Sequence, residues 1–240
     1  MMKQYLGFKK QYPDKIVLFR MGDFFETFGK DAKITSKVLN ITLTKRNKTK
    51  NATLLAGFPH KAIDQYLSKL IKGGYCVVVV DQLEDPKLAK GIVKRGVTRI
   101  VTPGTLDGEQ ASNIKDSYLA AIYQDKKEIS ISLCDLSTGK FLLVSDSSRK
   151  DLIKHAISSY SPVEILLLEG EERLEIGDFP VQFIGKSLRN RKYSEELIKK
   201  FYEIKSVNSL DIQEEGIDLV SVSMIIKYIE ETQLMNPSHI

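Results

Sequence analysis

The chain has 240 residues and a mass of 27.2 kDa, long for one compact domain and comfortable for two of about 100 to 150 residues. Its 42% apolar content excludes a disordered chain, and its longest apolar runs, such as Val77-Val78-Val79-Val80, exclude a membrane-spanning helix, which needs about 18 residues. The formal charge of +5 conceals a division: residues 1–105 hold 20 Lys and Arg against 8 Asp and Glu, a net +12, whereas residues 106–240 hold 16 against 23, a net −7.

In the basic half, residues 2–11 read as a short helix ended by Pro13. Ile16-Val17-Leu18-Phe19 reads as a buried strand, with Met21-Gly22-Asp23 as the turn after it. A helix is predicted over residues 24–39, with Phe25, Phe28, Ala32 and Leu39 near one stripe; Asp23 would cap it and Glu26 would complete a capping box. Ile41-Thr42-Leu43-Thr44 alternates like a strand, residues 45–51 form a polar basic loop, and residues 54–57 are extended up to Pro59. Ile63, Tyr66, Leu67, Leu70 and Ile71 keep the spacing of an amphipathic helix, stopped by Gly73-Gly74. A strand over 75–80, a short helix near 86–91 and a strand near 97–101 complete an α/β domain with a parallel or mixed sheet. Pro103-Gly104-Thr105 is a turn signal, and the polar stretch 106–116 reads as a linker between a domain of residues 1–105 and one of residues 117–240.

In the acidic half, residues 118–123, 129–134 and 140–144 read as three consecutive strands joined by hairpin turns. A helix at 149–159, a strand at 164–168, a helix near 194–202 and a last helix at 216–231 follow, which suggests an RNase H-like fold. That fold raises the alternative of a metal-dependent nuclease, but two-metal nucleases need several converging carboxylates, and here Asp135 stands alone at a strand end and reads as a turn or cap residue. The run from Pro180 to Gly185-Lys186-Ser187 mimics a phosphate-binding loop but has proline where the first glycine belongs. Two cysteines, Cys76 and Cys134, cannot build a disulfide framework, and the N-terminus lacks the apolar stretch of a signal peptide, so a cytoplasmic location is expected.

A net +12 over 105 residues points to a polyanion such as nucleic acid. Two adjacent aromatics at a helix start cannot both face one core, so one of Phe24 and Phe25 is expected at the surface. An exposed aromatic beside cations suits insertion between base steps, which is least costly at a mispair. Glu26 nearby could accept a hydrogen bond from a displaced base and would repel the phosphates of perfect duplex. Lys45, Arg46, Lys94, Arg95 and Arg99 are the candidate phosphate contacts, while Lys48 and Lys50 individually read as solvated charges.

The segment Arg20-Met21-Gly22-Asp23-Phe24-Phe25-Glu26 resembles the Phe-x-Glu segment of the MutS family of DNA mismatch-repair proteins. The similarity continues, in family order, through Asp31-Ala32, Leu43-Thr44-Lys45-Arg46, Ala56-Gly57-Phe58-Pro59, Asp81-Gln82-Leu83-Glu84-Asp85-Pro86 and Val101-Thr102-Pro103-Gly104-Thr105. The resemblance implies that Phe24 is a wedge that stacks on the mispaired base of double-stranded DNA and that Glu26 contacts that base. Phe25 stands where the family usually has Tyr, and His60-Lys61 where it often has Tyr-His, which leaves a role for His60 open. The acidic half is similar to the family's connector domain, which implies a MutL-type repair partner. The family's ATPase domain, with its ATP and Mg, is expected beyond residue 240, so these residues are expected to bind and not to catalyse. The family's dimer is expected of the longer protein and a monomer of this segment. A protein-docking module remains a third reading of the acidic half.

Overall fold

The run Ile16-Val17-Leu18-Phe19 is buried on both faces, as its unbroken apolar character requires, and it lies inside a six-stranded sheet. The computed structural model describes residues 1–46, 53–84, 91–105, 117–147, 150–171 and 179–233. It divides into two units, Met1–Leu106 and Asp107–Ile240. The linker read at 106–116, the short helix near 86–91 except for Gly91, and the lysines Lys48 and Lys50 lie outside the described residues.

In the first unit the strands are β1 (Ile16–Met21), β2 (Phe24–Phe28), β3 (Thr44–Lys45), β4 (Leu54–Pro59), β5 (Val77–Gln82) and β6 (Arg95–Val101). Their order is β3-β4-β2-β1-β5-β6, with β1 and β5 parallel and every other pair antiparallel. The helices are α1 (Met2–Gln11), α2 (Gly29–Leu39) and α3 (Ile63–Lys72). Tyr5 of α1 packs on Val17, Phe19, Phe28, Val78 and Val80, which alternate onto one face of the sheet. On the other face Tyr66 of α3 meets Phe58 at 4.5 Å between ring centroids. Asp31 is almost fully buried and joins three elements. Its carboxylate accepts from Lys9 Nζ at 2.8 Å, Tyr5 Oη at 3.3 Å and the Val17 amide at 3.1 Å. Burial, with Asp31 alongside, pushes the Tyr5 hydroxyl well above its ordinary value.

The predicted helix over 24–39 is corrected by the structure. Residues Phe24–Phe28 form β2, and α2 begins only at Gly29. Gly22-Asp23 is a two-residue hairpin loop, Met21 faces Phe24 across it, and Gly22 alone of the two takes a positive φ, +58°, as a type II′ turn requires. Asp23 therefore caps nothing, because the residue before α2 is Phe28 and no side chain caps that helix. Non-local pairing overrides the capping pattern: β2 has a neighbour on each side, and Phe24-Phe25-Glu26-Thr27-Phe28 carries the aromatic and β-branched residues that strands favour.

The strand predicted over 41–44 is also shorter, since only Thr44 and Lys45 pair with β4. Asn40 turns left-handed at φ 53°, the Ile41 amide bonds back to Ser36 O at 3.1 Å, and Ser36 Oγ donates to Ile41 O at 2.6 Å. This tie to the helix end keeps Ile41, Thr42 and Leu43 out of the ladder.

The second unit has β7 (Tyr118–Gln124), β8 (Glu128–Asp135), β9 (Lys140–Ser147), β10 (Glu164–Leu168) and β11 (Val181–Ile184) in the order β11-β10-β7-β8-β9. Only β8 runs against the rest, which makes this the RNase H-like sheet expected from the sequence. Side chains alternate along β7. Tyr118, Ala120 and Ile122 pack with Ile153 and Ala156 of α4 (Lys150–Tyr160), and Leu119 and Ala121 pack with α5 (Arg191–Tyr202) and α6 (Asp218–Gln233). The phosphate-loop mimic contains β11, which pairs in parallel with β10 and was not foreseen as a strand. Asp135 is a turn residue: its Oδ1 accepts from the Ser137 amide at 2.9 Å and from Ser137 Oγ at 2.7 Å.

Candidate nucleic-acid interface

Strand alternation, not helix crowding, decides which of the two adjacent phenylalanines is exposed. Phe25 points into the core and is 2% exposed, whereas Phe24, the first residue after the hairpin loop, is 46% exposed. Glu26 is two residues on and therefore on the same face as Phe24.

Both line an open groove of about 440 Å³, together with residues of the stretch Asn40–Thr44 and with Leu55, Gly57, Phe58, Pro59 and Tyr66. The groove exists because β3 is short: Thr44 and Lys45 cover only Leu55 and Leu54, leaving the rest of the β4 edge open.

Glu26 is half-buried over Gly57, its cross-strand partner. A Cβ on Gly57 would come within 2.9 Å of Phe25 O and 3.2 Å of Glu26 Cγ, so glycine is needed for this close approach. Burial pushes the Glu26 carboxyl above its ordinary value, and the nearby Arg46 guanidinium only partly opposes it. Among the described residues no donor is hydrogen-bonded to the Glu26 carboxylate. A half-buried carboxyl with spare hydrogen-bonding capacity, beside an exposed ring, can take a hydrogen bond from a heteroaromatic ligand or, once protonated, give one. Gly57 was missed as a site residue in the sequence, although its block was noticed.

The predicted cations do not form one surface. Arg46 lies 5.5 Å from the centre of the Phe28 ring, with Nη1 3.2 Å from Met2 Sδ and Nη2 3.8 Å from Met1 Sδ, on the Glu26 face. Lys45 beside it is exposed, and so is Lys94 just before β6.

Arg95 is committed internally. Its Nε donates to Arg20 O at 2.8 Å, and its Nη1 to Val93 O at 2.9 Å and Gln4 Oε1 at 3.3 Å. Its guanidinium sits 5.2 Å from the Phe19 ring centre. Burial lowers its pKa from the ordinary value, with Asp81 opposing. Arg99 pairs with Asp64 of α3 at 3.6 Å, on the opposite face of the sheet from Arg95. The cause is a bulge: Val79 pairs with Arg99 and Val80 with Val97, so Thr98 is extra and the alternation reverses. The structure thus gathers Phe24, Glu26 and Arg46, and separates Arg95 from Arg99.

Among the described residues no helix is long and apolar enough to cross a membrane, and no three His, Cys, Asp or Glu side chains cluster as a metal site would need.

Comparison with known proteins agrees with the two-unit division. The family model described as MutS domain I matches residues 1–110, and that described as MutS domain II matches residues 117–240. The whole chain is 41% identical over 246 residues to the DNA mismatch repair protein MutS of Flavobacterium psychrophilum. It is 40% identical over 245 residues to that of Cytophaga hutchinsonii, and 38% identical over 246 residues to that of Bacteroides thetaiotaomicron. In each case the chain spans 28% of the relative's length.

Proposed function

The chain belongs to the MutS family, and from that premise we propose that its first unit senses mispaired or unpaired bases in double-stranded DNA. The observation that carries this reading is the pairing of an aromatic side chain, 46% exposed on a two-residue hairpin, with a half-buried carboxyl on the same strand face. Phe24 enters the stack as a wedge and finds it least costly where pairing is already weak. Glu26 meets the displaced base edge across Gly57, and Lys45, Arg46 and Lys94 supply phosphate contacts that set register without reading sequence, while Arg99, paired with Asp64 on the opposite face of the sheet, is left out of that set. Arg95 acts chiefly inside the fold, since its Nε and Nη1 already have acceptors. The second unit acts as the connector of the longer protein and, in that setting, meets a MutL-type partner. The match to MutS domain II supports this role. Dimerisation is assigned to the longer protein.

The test is binding to a G·T-mismatched duplex and to its matched counterpart at one fixed salt concentration. Base–aromatic stacking is worth about 1–3 kcal/mol, so Phe24→Ala should lower the preference for the mismatch about tenfold or more while leaving matched-duplex binding in place. Glu26→Ala should lower the same preference and tighten binding to matched duplex. Equal losses on both duplexes would sink the wedge reading.

A further inference from the structure

We propose that His60 is a positioning residue for the wedge: its imidazole clamps the Gly22-Asp23 turn and so holds Phe24 at the orientation in which it meets DNA. The inference rests on the wedge reading of Phe24. The two carbonyls of that turn are both held. Gly22 O accepts from Arg20 Nε. Asp23 O accepts from the His60 amide at 2.8 Å and lies 3.1 Å from His60 Nδ1. A carbonyl only accepts, so the ring nitrogen in this contact carries the hydrogen.

The two braces are anchored on opposite sides of the hairpin. Arg20 is fixed by its stacking over Phe25 at 5.5 Å and its ion pair with Asp81 of β5 at 3.7 Å, and its own carbonyl accepts from Arg95. His60 follows Pro59 of β4, the cross-strand partner of Phe24. The amide and carbonyl of Phe24 face Met21 across the hairpin, so Phe24 and Pro59 form a non-hydrogen-bonded pair, and the last bond of this ladder runs from the His60 amide to Asp23 O.

Beyond these bonds and the Met21–Phe24 pair no core packing holds the turn, because Gly22, Asp23 and Phe24 are all exposed. An exposed hairpin tip frays, and a frayed tip would have to be ordered at the moment of binding. The amide bond to Asp23 O is available to any non-proline residue at position 60. The ring bond is not, so the side chain of His60 adds stiffness to the tip on the β4 side, as Arg20 does on the β1 side.

The experiment compares the chain with His60→Ala, His60→Asn and Phe24→Ala variants. Asn places an Nδ2 donor at the same bond distance from the backbone as His Nδ1. Two quantities are read: amide hydrogen exchange at residues 22–25, and the binding preference for a G·T-mismatched over a matched duplex at fixed salt. One net hydrogen bond corresponds to about a fivefold effect. His60→Ala should speed exchange at the tip about fivefold, lower the mismatch preference by a similar factor and lower the melting temperature by no more than the few degrees that one hydrogen bond accounts for. His60→Asn should restore both. Unchanged exchange in His60→Ala overturns the clamp. Faster exchange with an intact mismatch preference overturns its link to the wedge. If Phe24→Ala itself leaves the preference intact, the wedge reading fails, and the purpose assigned to the clamp falls with it.

Discussion

Each unit carries a glutamate on an inner strand, Glu26 on β2 and Glu164 on β10, and the two meet opposite surroundings. Glu164 is fully buried and accepts a 3.0 Å hydrogen bond from Tyr228 of α6. Around it the second unit ties its polar groups to one another inside the fold: Ser221 of α6 bonds to Ser130 and Ser132 of β8 at 2.7 and 2.8 Å, and Ser223 to Ser194 of α5 at 2.9 Å. Glu26 is half-buried at the rim of a groove, raised in pKa by burial, and without a hydrogen-bonded donor among the described residues. A buried polar group that is satisfied specifies packing, whereas one left with spare capacity at a concave surface is available to a ligand. The contrast between a closed interior network and an open rim is the physical difference on which the proposed roles of the two units rest.

That contrast can be broken most directly at Glu164. Glu164→Ala removes a buried side chain and the acceptor of the Tyr228 hydrogen bond, so it should cost about 3 kcal/mol in urea unfolding of the chain. A loss below about 1 kcal/mol would show that the network is not structural. Gly57→Ala is next. Its Cβ would meet a backbone carbonyl at 2.9 Å, so a loss of about 1–3 kcal/mol is expected, together with a weaker mismatch preference as Glu26 is displaced. Unaltered stability and preference would mean the approach at Gly57 is not constrained.

The smallest effect has the opposite sign. The folded-state pKa of Glu26 is raised, so the fold favours the neutral carboxyl. That contribution is fully present below the ordinary carboxyl pKa and is lost as pH rises through the raised folded value. Glu26→Gln should therefore leave the melting temperature unchanged in acid and raise it slightly at neutral pH, while weakening mismatch preference. A lower melting temperature at neutral pH would show that Arg46 outweighs burial. The same change at Glu164 serves as the control, because there the carboxyl accepts a bond inside the fold.

Much of the architecture was legible because local pattern and tertiary demand agree. The four consecutive valines of β5, the amphipathic spacing of α3 and the three alternating strands β7 to β9 all appear close to where the sequence placed them. The failures occurred where a local pattern admitted two solutions. Asp23-x-x-Glu26 satisfies a capping box and equally a hairpin tip followed by a strand, and only the pairing of β2 with both β1 and β4 chooses between them. The exposure of one phenylalanine was anticipated from helix crowding and arises from strand alternation, so the expectation held for a different physical reason. β11 went unseen because Val181-Gln182-Phe183-Ile184 is short and becomes a strand only by joining the edge of β10.

The sequence by itself determined that two α/β domains of opposite charge lie in one chain, that the first resembles MutS-type sensors, and that Phe24 and Glu26 are the residues to follow. These conclusions rest on composition, spacing and ordered motifs, which are properties of the linear chain. Only the tertiary structure decided that Phe24 and Glu26 share one strand face over Gly57, and that a bulge at Thr98 sends Arg95 and Arg99 to opposite faces. It alone shows that His60, 37 residues from Asp23 in the chain, closes the turn before the exposed ring. Each of these depends on register between strands distant in sequence, and a shift of one residue reverses which side chains meet.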